Sequence, residues 1–156
     1  MLQVKVNGLN EMLVVLDQLS DVEKDKAVKS GLRTAGNVFR REGLNQIRSK
    51  LSGTTKRSYG RQPGNLLSSI RVRVKRSKPG VLTGFDEKGH HAHLADLGTK
   101  ERFFKTGIRG QRRKSSGRMP ATHFWTTTKQ SKEIKASEAL FTGLERAVNR
   151  IIDRRK

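Results

Sequence analysis

Between Asp21 and Lys50 the apolar residues recur at helical spacing: Val28, Leu32, Ala35, Phe39 and Ile47 fall on one stripe, with Gly43 completing the pattern. The opposite face holds Lys26, Lys29, Arg33, Arg40 and Arg41. A period near 3.6 belongs to a helix and not to a strand, so one long amphipathic helix is expected over about 21–50. Ser20-Asp21 offers its N-cap, and Glu23 and Asp25 lie near its positive end. A helix of this kind must lay its apolar stripe on other elements, and the rest of the chain has to supply them.

Those elements follow in order. Val4 and Val6 alternate with Gln3 and Lys5 as in a short strand, and Asn7-Gly8 reads as a turn. Asn10 caps a helix carrying Leu9, Met12, Leu13, Leu16 and Leu19. Residues 52–63 form a polar linker rich in Gly, Ser and Thr, expected to be mobile. Gly64 to Ile70 suits one helical turn leading into a strand. Ile70-Arg71-Val72-Arg73-Val74-Lys75 then alternates as a strand. Ser77-Lys78-Pro79-Gly80 reads as a hairpin turn, Val81–Phe85 as the returning strand, and His91–Leu97 as a third strand of the meander. A final helix over about 130–154 places Ile134, Leu140, Leu144, Ala147, Val148 and Ile151 on one face. The expected fold is α+β in a single domain: a small antiparallel sheet, the N-terminal strand included, packed by a long helix and a C-terminal helix.

Charge narrows the partners. The 156 residues include 34 Lys and Arg against 14 Asp and Glu, a net charge of +20. Such an excess opposes compaction and favours a polyanion or an acidic protein surface. The most basic stretch, 100–118, carries Lys100, Arg102, Lys105, Arg109, Arg112, Arg113, Lys114 and Arg118 against Glu101 alone. It reads as a long functional or unstructured loop. Cysteine is absent, which excludes disulfides and thiolate metal sites. No run approaches the ~20 apolar residues of a bilayer span, so no membrane partner is expected, and the chain is assigned to the cytoplasm or an assembly built there.

Residue types that carry chemistry are present without a pattern that organises them. On a strand, His91 and His93 would share a face, with His90 and Asp96 pointing away, which leaves any metal set incomplete; no metal and no cofactor is expected. His91, His93, His123 and the arginines can be arranged as a ribonuclease, but no fixed spacing supports one. Phe103 and Phe104 either stack on bases or pack into the fold and anchor the basic loop. Without a zinc-finger, helix-turn-helix or RNA-recognition motif, nucleic-acid binding would be sequence-independent. Trp125 beside Phe124 reads as a core anchor at a helix start or as a subunit contact.

The succession of motifs resembles a known family. A start of the form Val4-Lys5-Val6-Asn7-Gly8-Leu9-Asn10-Glu11-Met12-Leu13 precedes a long helix with Gly31-Leu32-Arg33-Thr34-Ala35-Gly36, and then Pro63-Gly64-Asn65-Leu66-Leu67-Ser68-Ser69-Ile70. His91-Ala92-His93-Leu94-Ala95-Asp96-Leu97-Gly98-Thr99 fits an aromatic-Ala-x-x-x-acidic-apolar-Gly-Thr segment, and Pro120, Phe124 and Trp125 match a closing motif. This order is similar to the HK97-type (gene product ten) tail-component family of long-tailed bacteriophages, over almost the whole chain. His91 departs from the usual aromatic, Asp96 from Glu and His123 from Pro, and the 100–118 segment is longer. The resemblance implies a non-enzymatic virion protein of the head–tail junction, a tail-completion or connector subunit. It implies rings, commonly hexameric, stacked on neck and tail proteins around the DNA passage. Asp96, Gly98, Thr99, Pro120, Phe124 and Trp125 would be the structural or interface motif, and the 100–118 segment would order against DNA or an adjacent ring.

Overall fold

Glu23 reaches back to the start of the long helix: the Ser20 backbone N–H and hydroxyl both donate to Glu23 Oε2, at 3.0 and 2.7 Å, while the Ser20 carbonyl accepts from the Glu23 and Lys24 N–H groups. The structure, a computed structural model, describes residues 13–14, 16–51, 65–103 and 115–154. Leu13, Val14, Leu16 and Asp17 are helical. The elements that follow are α1 (Asp21–Leu51), α2 (Asn65–Ser69), β1 (Ile70–Val74), β2 (Val81–Phe85), a 3-10 turn (Glu87–Gly89), α3 (Ala92–Leu97), β3 (Arg102–Phe103), β4 (Ser115–Gly117) and α4 (Phe124–Asp153). The fold is α+β and mostly helical, with a two-stranded sheet β1–β2 and a second two-stranded pair β3–β4. The N-terminal strand expected at Val4–Val6 and the linker at 52–63 lie outside the described residues.

Two compact units divide the chain: residues 1–38, 72–82 and 134–156, and residues 39–71 and 83–133. In the first, Leu19, Ala27, Leu144 and Val148 are buried, with Leu16, Val28, Ala147, Ile151 and Ile152 packed on them. Here α1 and α4 meet through small residues. A Cβ on Gly31 would stand 2.8 Å from the Leu140 carbonyl oxygen, and one on Gly143 would stand 3.0 Å from Gly31 Cα. Backbones this close leave no room for a side chain. The buried positions of α1 are 27, 31, 35, 36, 43, 47 and 51; apart from Gly36 they are spaced by multiples of four, and they include Ala and Gly. That stripe is displaced by one residue from the expected Val28 and Leu32, both half-buried. Ile134, expected on the core face of the last helix, is 54% exposed.

In the second unit the core gathers Ile47, Leu51, Ile70, Ala92, Ala95 and Phe124, with Phe85 and Trp125 packed against it. Phe124 has no exposed surface. Burying such a side chain stabilises the fold by roughly 1.5–3 kcal/mol. The Phe85 ring meets it edge-on at 5.8 Å between centroids and meets Trp125 at 5.1 Å. Gly43 leaves space for the indole: a Cβ there would lie 2.7 Å from a Trp125 ring carbon. Thr128 is fully buried, and its hydroxyl donates to the Phe124 carbonyl at 2.7 Å.

Two expectations are corrected. His91–Leu97 is not a third strand: Ala92 to Leu97 form the helix α3. Its buried residues Ala92, Ala95 and Asp96 fall at i, i+3 and i+4, and Ala and Leu are good helix formers where a strand would favour β-branched residues. The meander therefore reduces to the β1–β2 hairpin. The last helix begins at Phe124 rather than near 130, because its first turn is capped from a distant part of the chain.

Candidate functional site

The basic segment leaves and rejoins the fold at one clasp. Gly98, at φ 76°, ends α3 in a conformation open to glycine, and a Cβ there would come within 2.8 Å of the Met119 oxygen and the Ala121 nitrogen. Thr99 N–H donates to the Met119 carbonyl at 2.9 Å, and Met119 N–H donates to Thr99 Oγ1 at 2.9 Å. One step inward, the Thr122 hydroxyl donates to the Ala95 carbonyl at 2.7 Å, and His123 N–H donates to the Asp96 carbonyl at 2.9 Å. From the other side Lys50 Nζ donates to the Thr122 carbonyl at 3.1 Å.

Asp96 is the centre of this clasp. It is buried, and its carboxylate accepts from Trp125 N–H at 2.7 Å, Thr126 N–H at 3.2 Å and the Thr126 hydroxyl at 2.6 Å. These N–H groups belong to the first turn of α4, which has no partners for them within the helix. Burial pushes the carboxyl pKa up. The Thr126 hydroxyl, the two N–H groups and nearby His123 outweigh it, and the pKa falls below the ordinary aspartate value. Asp96 is therefore a charged cap supplied by another helix. His123, the residue before α4, holds φ 49°. Proline, with φ near −65° and no N–H, does not fit that position.

Beyond the clasp, Arg102–Phe103 pairs antiparallel with Ser115–Gly117, with Arg102 opposite Gly117 and Phe103 opposite Ser115. The Ser115 hydroxyl donates to Glu101 Oε1 at 2.6 Å, and Gly117 N–H donates to Ser115 Oγ at 3.0 Å. At its described ends, the segment read as a long functional or unstructured loop thus carries the β3–β4 pair. Lys100, Arg102 and Arg118 are exposed around it; Lys105, Arg109, Arg112, Arg113 and Lys114 lie outside the described residues, as does Phe104. Phe103 is 54% exposed, which corrects its reading as a packed anchor. Pro120 is exposed, Phe124 buried and Trp125 half-buried in the aromatic cluster, as a core anchor would be.

The histidines do not converge. His93 Nδ1 lies 2.8 Å from the His90 carbonyl, and the His90 and His91 rings meet edge-on at 5.4 Å. Among the described residues no group of three or more His, Cys, Asp or Glu is placed to hold a metal ion. Among them, too, no helix is long and apolar enough to cross a membrane. Sequence reasoning placed Asp96 in the motif but on a strand, on the face opposite His91 and His93, and it missed the cap. The Thr-Thr-Thr run at 126–128 beside it, able to complete the cap with a hydroxyl, was the available signal.

Comparison with models of known protein families, with curated proteins and with solved structures finds no match.

Proposed function

We propose that this chain is a non-enzymatic structural protein of a bacteriophage virion, a tail-completion or connector subunit at the head–tail junction, acting as a ring around the DNA passage. The observation that carries the reading is the hydrogen-bonded union of two motifs: Asp96-Leu97-Gly98-Thr99 is tied to Met119 through Thr126 by six bonds described above. These are two of the motifs that carry the phage-family resemblance, and their union gives both a common task, to fix the root of the basic segment. A ring lumen crossed by DNA tolerates basic residues and requires no base-specific grip, in keeping with the +20 charge. Its partners would be further copies of itself, in a closed ring such as a hexamer, the adjacent neck and tail proteins, and the genomic DNA.

Native mass spectrometry of the chain, alone and with the portal and tail-tube proteins encoded beside it, tests this. A closed ring in either sample is the expected result. A monomer in both, or a gene neighbourhood with no virion proteins, overturns it.

A second reading, a free sequence-independent nucleic-acid-binding protein, draws on exposed Lys100, Arg102 and Arg118 at the ribbon. It predicts a small species that binds DNA at moderate salt without assembling.

A further inference from the structure

The first unit carries a cationic surface that the 100–118 segment does not supply. The hairpin residues 72–82 include four Lys and Arg and no Asp or Glu. Lys75 N–H donates to the Gly80 carbonyl at 2.9 Å, closing the turn, and the aliphatic stem of Lys75 lies over Gly80. Arg73, Lys75 and Lys78 are exposed. Arg73 and Lys75 are two residues apart along the chain, so their side chains leave the same face about 6.6–6.8 Å apart.

Helix α1 extends this surface. Lys29 Nζ donates to the Arg76 carbonyl at 3.2 Å, which fixes the hairpin turn beside the helix. Lys26 and Arg33, at i−3 and i+4 from Lys29, share its face. The carboxylates at this point are Asp25, engaged by Lys29 at 2.6 Å, and Glu23, three residues before Lys26 and engaged by Ser20. Lys26, Arg33, Arg73, Lys75 and Lys78 have no carboxylate partner among the described residues.

We propose that Lys26, Lys29, Arg33, Arg73, Lys75 and Lys78 form a second nucleic-acid-binding surface that takes the phosphodiester backbone without sequence selectivity. Protein interfaces favour aromatic residues and deplete charge at their centre. Here the centre is Lys and Arg, and neither 21–38 nor 72–82 contains Phe, Tyr or Trp. Contacts of Lys and Arg to phosphate are the sequence-independent component of nucleic-acid binding. The surface stands on its own whether or not the chain assembles into a ring.

The test is fluorescence anisotropy of the full chain with a labelled random-sequence DNA duplex across a salt series, repeated with single-stranded RNA. Replacing Arg73, Lys75 and Lys78 together by Gln should flatten the dependence of log K on log salt for duplex DNA by up to about 2.7, at about 0.9 per lost phosphate contact. The charge-conserving variant R73K/K75R/K78R should keep the slope, and R73Q alone should lose about 0.9. The polymer that shows the larger loss identifies the source of the backbone. A folded triple variant, by circular dichroism, with the wild-type slope on both polymers overturns the proposal, as does a wild-type chain that binds neither. Loss of binding to polyglutamate with DNA binding intact would assign the surface to an acidic protein and overturn it equally. Ring formation plays no part in these readouts, so their failure is separable from that of the connector reading.

Discussion

The carboxylate of Asp96 caps a helix that begins far along the chain, accepting the Trp125 N–H at 2.7 Å across a separation of 29 residues. Replacing Asp96 by Ala removes the cap and leaves buried donors without a partner. The expected loss is about 2–3 kcal/mol, combining a cap's ~0.5–2 kcal/mol with the cost of unsatisfied N–H groups. Asp96→Asn keeps one acceptor and should lose less. Urea unfolding followed by the fluorescence of Trp125, the sole tryptophan, measures both; a midpoint unchanged in Asp96→Ala would refute the capping role.

The same contact sets a pH dependence. The folded-state pKa of Asp96 lies below its ordinary value, so its contribution is fully present above the ordinary aspartate pKa and is lost as pH falls through the lower folded value. Between neutral pH and about 5 the difference in stability between the wild type and Asp96→Asn should be constant. It should shrink on further acidification, as the wild type loses the advantage of its charge. A difference that grows on acidification would contradict the assignment of the cap to the carboxylate form.

His123 offers a backbone test. Its φ of 49° and its N–H donation to the Asp96 carbonyl both exclude proline. His123→Pro should cost about 3 kcal/mol or more. His123→Gly, which relieves the positive φ, should be nearly neutral. Thermal unfolding distinguishes the two, and equal melting temperatures would contradict a positive φ at His123.

At the α1–α4 contact, Gly31→Ala and Gly143→Ala should each destabilise the chain despite the better helix propensity of Ala, worth about 1 kcal/mol. The new methyl group would meet the Leu140 carbonyl oxygen in the first case and Thr34 Oγ1 at 2.6 Å in the second. Overpacking of this kind typically costs about 1–3 kcal/mol. A Cβ on Gly84, in β2, would meet nothing within 4 Å, so Gly84→Thr should be neutral or stabilising. Circular dichroism melts of the three variants check the contrast.

For the basic segment, replacing Arg112, Arg113 and Lys114 by Ala should flatten the salt dependence of DNA binding by up to about 2.7, at about 0.9 per lost phosphate contact. An unchanged slope would show that these side chains do not meet phosphate.

Periodicity made the main helix legible almost to its ends, since Ser20 and Glu23 announce its start and the stripe persists to Leu51. Alternation did the same for β1. What escaped were features that depend on distant partners. The start of α4 contains Thr126, Thr127 and Thr128, modest helix formers, and is secured by a carboxylate that no local pattern connects to it. Segment 91–97 is too short for alternation and helical period to be told apart, and burial of Ala92, Ala95 and Asp96 decided it. The close approach at Gly31 and Gly143 was hidden because glycine carries no hydrophobic signal.

The paired bonds between Thr99 and Met119, both 2.9 Å, make the two ends of the basic segment neighbours before anything between them is specified. The fold is therefore indifferent to how much chain is inserted there: doubling the insert costs only about 0.6 kcal/mol in closure entropy. The position behaves as a socket, where length and sequence can be exchanged while the capped helix and aromatic core stay as they are.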